Sequence, residues 1–202
     1  MNGRTNAVYI KSSPVVSDQS REIIEGTVAV VDNSLVESVR EYAFYNVTSL
    51  KSVKFGSALS VGQKAFEGCT SLGSATLPLA TTIASNAFLN CSSLETVQIP
   101  SASSVGYGAF RGVALVNIEL PLVSSVSGEM FSYCTMLENV TLNSNSVCPV
   151  QFNSFVGAGT NNTNPQHVIY VHVPGDLIAS YQTATNWAAL YNDGSVEFVA
   201  LT

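Results

Sequence analysis

The cysteines and histidines, side chains that could hold a metal, form a bridge or act as a nucleophile, number six: Cys69, Cys91, Cys134, Cys148, His167 and His172. A zinc site draws on close pairs of such residues, and no two of these cysteines lie near each other, so no metal is expected. His167 and His172 are five apart in what reads as one strand. Their side chains then point to opposite faces and would not share an ion. A Cys148–His167 or Cys148–His172 nucleophile pair is the one catalytic arrangement these residue types leave open. The sequence holds no G-x-S-x-G elbow, P-loop or dinucleotide fingerprint. Its acidic residues are scattered, without a pair placed for glycoside hydrolysis. The expectation is a non-enzymatic chain with no cofactor.

Three of the cysteines belong to a repeat. An Ala-Phe or Met-Phe pair falls at Ala43-Phe44, Ala65-Phe66, Ala87-Phe88, Ala109-Phe110 and Met130-Phe131, in steps of 22, 22, 22 and 21. Three residues after each Phe stands Val47, Cys69, Cys91, Val113 or Cys134, and a leucine follows at Leu50, Leu72, Leu94, Leu115 or Leu137. An alternating pair comes next: Val53/Phe55, Ala75/Leu77, Val97/Ile99, Ile118/Leu120 and Val140/Leu142. Each unit closes on Val61, Ile83, Val105, Val126 or Val147. The fourth unit is one residue short between Val113 and Leu115, which accounts for its step of 21. Exchange of Cys with Val at one position makes Cys69, Cys91 and Cys134 small buried hydrophobes, although a bridge between adjacent turns is open in principle. Cys148 lies off the repeat, so its exposure and role stay open.

Fixed spacing of this kind describes a solenoid. The L-x-x-V-x-I run is a short strand with one buried face, bounded by Pro78, Pro100 or Pro121. A unit of 22 residues cannot bury its apolar side alone, but stacked units share a continuous core. The Ala-Phe-x-x-Cys segment is the return limb, expected as about one turn of helix, with each Phe on the Phe above and below. Gly, Ser and Ala between the anchors let the chain bend.

The phrase NAFLNCSSLETVQIPSASSVGYGAF resembles the BspA-like, or Treponema-type, leucine-rich repeat nearly position by position, and the resemblance covers roughly residues 39–147. The segment IYVHVPGDLIASYQTATNWAALY, from Ile169 to Tyr191, also resembles the closing segment of that family. The resemblance implies a leucine-rich repeat right-handed coil with a parallel strand ladder, mainly β with short helical turns. It further implies extended surface or secreted proteins of bacteria or mucosal parasites, concerned with adhesion and binding. No apolar signal segment opens the chain, in which respect it departs from the family.

The expected organisation is an N-terminal cap over 1–38, five repeats over 39–149 and a C-terminal α+β cap over 150–202. In the first, Thr27–Val31 reads as a strand, and Asp18 and Ser20 as caps of a turn before Glu22–Glu25. In the last, a Gly/Asn-rich loop (its GAGTNNTNP stretch most simply a plain surface loop) leads to a strand over 167–174. A helix from Gly175 to about Leu190 or Tyr191 and a final strand over 196–201 follow. Asn46, Asn90, Asn139 and Asn161 head glycosylation sequons, which carry no meaning in a bacterial protein; in a protein of a eukaryotic parasite Asn46 and Asn161 are the better acceptors.

Composition narrows the partners. Of 202 residues 46% are apolar and only 11% charged, with eight Lys and Arg and a formal net charge of -6. That is no surface for a phosphate backbone, so nucleic acid is not expected. No apolar run approaches the roughly 18 residues of a membrane span. The outward strand positions are the candidate binding residues: Thr96 and Gln98, Asn117 and Glu119, Asn139 and Thr141, and Tyr170 and His172 in the last strand. Tyr and His can stack on a sugar or seat a peptide. The expected partner is a protein or glycan. A structural or docking part of a larger assembly, such as a phage virion or tail, is the alternative, and an accessory domain of an enzyme a third.

Overall fold

The computed structural model describes residues 15–16, 30–151, 153–161 and 167–201. The chain folds as a mainly β repeat solenoid in which each of the four turns over residues 30–112 contributes two short strands and one tight ribbon. The first strand of each turn runs β2 (Val30–Asp32), β4 (Ser52–Lys54), β6 (Ser74–Thr76) and β8 (Thr96–Gln98), paired in parallel in that order. A second column holds β1 (Val15–Val16), β3 (Ser38–Val39), β5 (Ser60–Val61), β7 (Thr82–Ile83) and β9 (Ser104–Val105), also parallel. The first column resumes as a separate parallel sheet of β10 (Asn117–Glu119), β11 (Asn139–Thr141), β12 (Ile169–Val173) and β13 (Val196–Ala200). Registers are residue for residue: Val31, Val53, Ala75 and Val97 face one another, as do Ile118, Val140, Val171 and Phe198.

The core follows the apolar spacing. Phe44, Phe66, Phe88, Phe110 and Phe131 are fully buried and nearly parallel, with centroids 5.1, 5.0, 5.6 and 6.3 Å apart. Aromatic rings offset in this way add to their area burial. Leu50, Leu72, Leu94, Leu115 and Leu137 are buried beside them.

The return limb differs from the expected helical turn. Tyr42 and Asn46 both have φ +57°, as their counterparts Lys64 (+55°) and Gly68 (+74°), Asn86 (+58°) and Asn90 (+57°) are also left-handed. A left-handed residue inverts the next peptide, so the N–H groups cannot all run along one axis. Alternate ones close the local turn, as Tyr45 N–H to Tyr42 O. The others reach the next turn, as Tyr42 N–H to Gln63 O, Phe44 N–H to Ala65 O and Asn46 N–H to Glu67 O. The ribbon is thus a third ladder. Asn and Gly recur there because they tolerate positive φ best.

Strand pairing runs across both boundaries expected from the sequence. β2 pairs with β4 although it precedes residue 39. At the other end Val126 bridges Val150, not Val147, and Phe155 packs 5.3 Å from Phe131 as a sixth ring of the stack. The strand expected over Thr27–Val31 is described from Val30 only, and the turn expected before Glu22–Glu25 lies outside the described residues.

The helix expected from Gly175 is broken. A 3-10 turn over Gly175–Leu177 leads into α1 (Ile178–Thr183), and α2 (Trp187–Asn192) follows after Asn186 at φ +67°. The break aims Trp187 into the core: its Nε1–H donates to Cys148 O at 2.6 Å, and Asn186 Nδ2 donates to Val150 O at 2.8 Å. Two backbone carbonyls at the end of the repeats are satisfied in this way.

Candidate functional site

Cysteine chemistry resolves into packing. Cys69 Sγ donates to Phe44 O at 2.9 Å, Cys91 Sγ to Phe66 O at 3.0 Å and Cys134 Sγ to Phe110 O at 2.8 Å. Each thiol thus binds a carbonyl of the preceding turn, which valine at the same position cannot do. All are unbridged and buried. Burial pushes the Cys134 thiol up to about 12 and raises that of Cys91 further, with neighbouring Cys69 adding to the shift. Cys148, left open from the sequence, is buried at 1% exposure. Its Sγ donates to Val123 O and its N–H to Tyr181 Oη, so it is placed as a core residue and not as a surface nucleophile. His167 is exposed, left-handed at φ +55° and outside the strand expected to hold it. Among the described residues no group of three His, Cys, Asp or Glu could hold a metal ion.

The outward strand positions fall on two sheets. Thr96 and Gln98 are exposed on β8, where Thr76 Oγ1 donates to Gln98 Oε1 at 3.4 Å. Asn117 and Glu119 are exposed on β10, Asn139 and Thr141 half-buried on β11, and Tyr170 and His172 half-buried on β12. Three of these form a chain of hydrogen bonds. Asn139 Nδ2 donates to Asn117 Oδ1 at 2.7 Å, and Asn139 Oδ1 meets His172 Nε2 at 2.9 Å, which calls for the proton on Nε2. Tyr170 pairs in register with Asn139 on one side and exposed Glu197 on the other. Glu197 and Val199 extend the row by one strand that the sequence pattern did not place in it.

The two sheets do not join. β8 and β10 are consecutive in the first column, yet they are not hydrogen-bonded to each other. Elsewhere the bond after the strand recurs, from Phe55 N–H to Thr76 O, Leu77 N–H to Gln98 O and Leu120 N–H to Thr141 O; none runs from Ile99 to Glu119. The second column opens at the same level, where Ser127 Oγ replaces a backbone donor on Val105 O at 2.6 Å. The ribbon stays closed there, with Gly108 N–H on Gly128 O, Phe110 N–H on Met130 O and Gly112 N–H on Ser132 O. The stack is therefore wedged open on its strand side and hinged on its ribbon side, and its widest Phe spacing, 6.3 Å, is here.

The cause lies in the link that crosses the gap. From Phe44, Phe66, Phe88 and Phe131 to the next strand centre the chain takes nine residues; from Phe110 to Ile118 it takes eight. The missing residue between Val113 and Leu115 leaves β10 unable to reach register with β8. The wedge is a cleft of about 430 Å³ lined by Glu95, Thr96, Val97, Gln98, Asn117 and Glu119 among others, with Pro78, Pro100 and Ile118. Val97 is half-buried, whereas the strand centres Val53, Ala75, Ile118 and Val140 are buried. Four of the expected binding residues, Thr96, Gln98, Asn117 and Glu119, thus flank one cleft. The shortened unit was the sequence signal for it.

A family model for the BspA type leucine rich repeat region matches the chain in six copies, over residues 28–137 and 59–164. The chain belongs to the BspA-type leucine-rich repeat family. Among curated proteins no sequence is significantly similar. In structure the chain is similar to a leucine-rich repeat protein of Treponema pallidum, at TM-score 0.57 and 24% identity, over 87% of this chain and 88% of that one. A leucine rich cell surface protein of Faecalibacterium prausnitzii is similar at TM-score 0.46 and 22% identity, over 75% of this chain and 56% of that one. At these identities the likeness speaks for the fold alone. A BspA-type repeat stack is in general a surface for binding proteins rather than a scaffold for catalysis. No helix among the described residues is long and apolar enough to cross a membrane.

Proposed function

We propose that this BspA-type solenoid is a non-enzymatic recognition module, an adhesin-like protein of the cell surface or of the secreted space. It meets a host protein or glycan with its strand-ladder face. The observation that carries this reading is the hydrogen-bonded row Asn117–Asn139–His172, with Tyr170 beside it. Side chains that hold one another lose little further freedom on binding, and an aromatic ring next to amide groups suits both sugars and peptides. The exposed pair Asp32–Lys54, 3.5 Å apart and more than half solvent-accessible on each side, adds little by comparison.

The test is binding of the purified protein to a panel of glycans and extracellular-matrix proteins, beside a Tyr170→Ala/His172→Ala double variant. The expected result is a ligand whose binding falls at least tenfold in the variant. A panel on which neither protein binds, or a ligand held equally by both, would contradict this placement of the site.

A further inference from the structure

The wedge between β8 and β10 exposes backbone as well as side chains. On β8, Thr96 N–H and Gln98 O bond to the preceding turn. Backbone groups of alternate residues point to opposite strand edges, so Val97 and the Ile99 N–H are turned to the gap. On β10, Val116 O and Leu120 N–H bond to the β11 side, which turns Asn117 and Glu119 to the gap. Two strand edges therefore face one another without partners. Between them lie an apolar strip at Val97 and Ile118 and two carboxylates, Glu95 and Glu119, with no basic residue in the lining.

From this geometry we infer that the wedge binds an extended segment of a partner protein that carries a lysine or arginine. This deepens the recognition reading above and rests on it. β8 and β10 approach within 8 Å at several Cα pairs, too close for a further strand between them, which needs about 9.6 Å. The segment therefore lies extended across the mouth of the cleft and meets the free N–H and C=O groups of the edges from outside. The basic side chain enters the cleft with its methylene stem on Val97 and Ile118, and its cationic head meets Glu95 and Glu119. An acidic segment is repelled by the same carboxylates, which sets the sign of the selectivity.

The probe is a capped synthetic pentapeptide, acetyl-Val-Thr-Lys-Val-Thr-amide, with a counterpart in which glutamate replaces lysine. Each is titrated into the isotope-labelled protein to millimolar concentration while backbone amide resonances are followed. The expected result is saturable shifts at Val97, Ile99, Asn117 and Glu119 with the lysine peptide and none with the glutamate peptide. A Glu95→Gln/Glu119→Gln double variant weakens the effect at least tenfold. Equal shifts from both peptides, shifts confined to other amides, or no shifts at all would overturn the assignment. The two readings fail separately. A panel ligand without a peptide shift removes the wedge site and leaves the recognition row at Tyr170 and His172, and a peptide shift without a panel ligand removes that row and leaves the wedge as the recognition surface.

Discussion

At the scale of single residues, the cysteines show how one position serves packing and polar satisfaction together. The interchange with valine was readable, because both fill the same small volume. That the thiol binds a carbonyl of the previous turn was not, because the partner stands 24 or 25 residues away and the interaction leaves no mark on the pattern. Cys148 was unreadable for the same reason: its neighbours Tyr181 and Trp187 come from the closing helices, more than 30 residues on. A pH dependence follows. Cys134 keeps its proton in the folded state up to about 12, against 9.0 for an ordinary thiol. The unfolded chain therefore binds fewer protons between these values. The stability from this group is fully present below pH 9 and is lost as pH rises through that window, at a limiting slope of about 1.4 kcal/mol per pH unit. Cys134→Val removes this contribution while lysine and tyrosine titrations stay common to both proteins. Urea unfolding at several pH values between 8 and 11 should show a shallower decline for the variant. Parallel declines would contradict the buried thiol. At neutral pH the substitution should cost less than about 1.5 kcal/mol, being close to volume-conserving.

At the scale of elements, the strand columns were legible and the ribbon was not. Period-2 alternation at Val53/Phe55 or Val97/Ile99 leaves few alternatives to a half-buried strand. The ribbon looked helical because Ala-Phe-x-x-Cys puts two anchors three apart. What decides it is left-handed backbone at residues as unlike as Tyr42, Lys64 and Glu129, a conformation held by bonds to the next turn and not by local preference. Phe155 was hidden by a step of 24 and by Ser154 in place of alanine. The Phe stack runs from turn to turn through the core, so removal of an interior ring opens a cavity between two neighbouring rings. Phe88 lies between Phe66 at 5.0 Å and Phe110 at 5.6 Å with no exposure. Phe88→Ala should destabilise by about 3–5 kcal/mol, from lost transfer energy and the cavity left behind. Denaturant unfolding followed by circular dichroism measures it, and a loss below about 1 kcal/mol would show that the stack relaxes around the gap.

For the whole molecule, a solenoid is close to one-dimensional: each turn speaks only to its neighbours, and one altered interface divides the stack without unfolding it. That division is the feature that the repeat count contained without revealing. The short unit was visible as a step of 21, but its consequence depends on which link lost the residue. A residue lost from an outward turn would be absorbed, whereas one lost between Phe110 and Ile118 acts on the strand that must cross to the next level. The fold class needed only periodic apolar residues. The outward row needed only strand alternation. The cleft that joins Thr96, Gln98, Asn117 and Glu119 needed the register itself.

The most direct test of the account restores the missing residue. A variant with one serine inserted between Val113 and Ala114 gives this link the nine-residue length of the others. Native-state amide exchange is then compared at Leu77, whose N–H bonds across a closed interface, and at Ile99, its equivalent at the wedge. Rapid exchange at Ile99 and slow exchange at Leu77 are expected in the unaltered protein, with slow exchange at both in the insertion variant and loss of the lysine-peptide shifts as the cleft closes. Equal protection of Ile99 and Leu77 in the unaltered protein, or an Ile99 amide that stays as fast after the insertion, would contradict it.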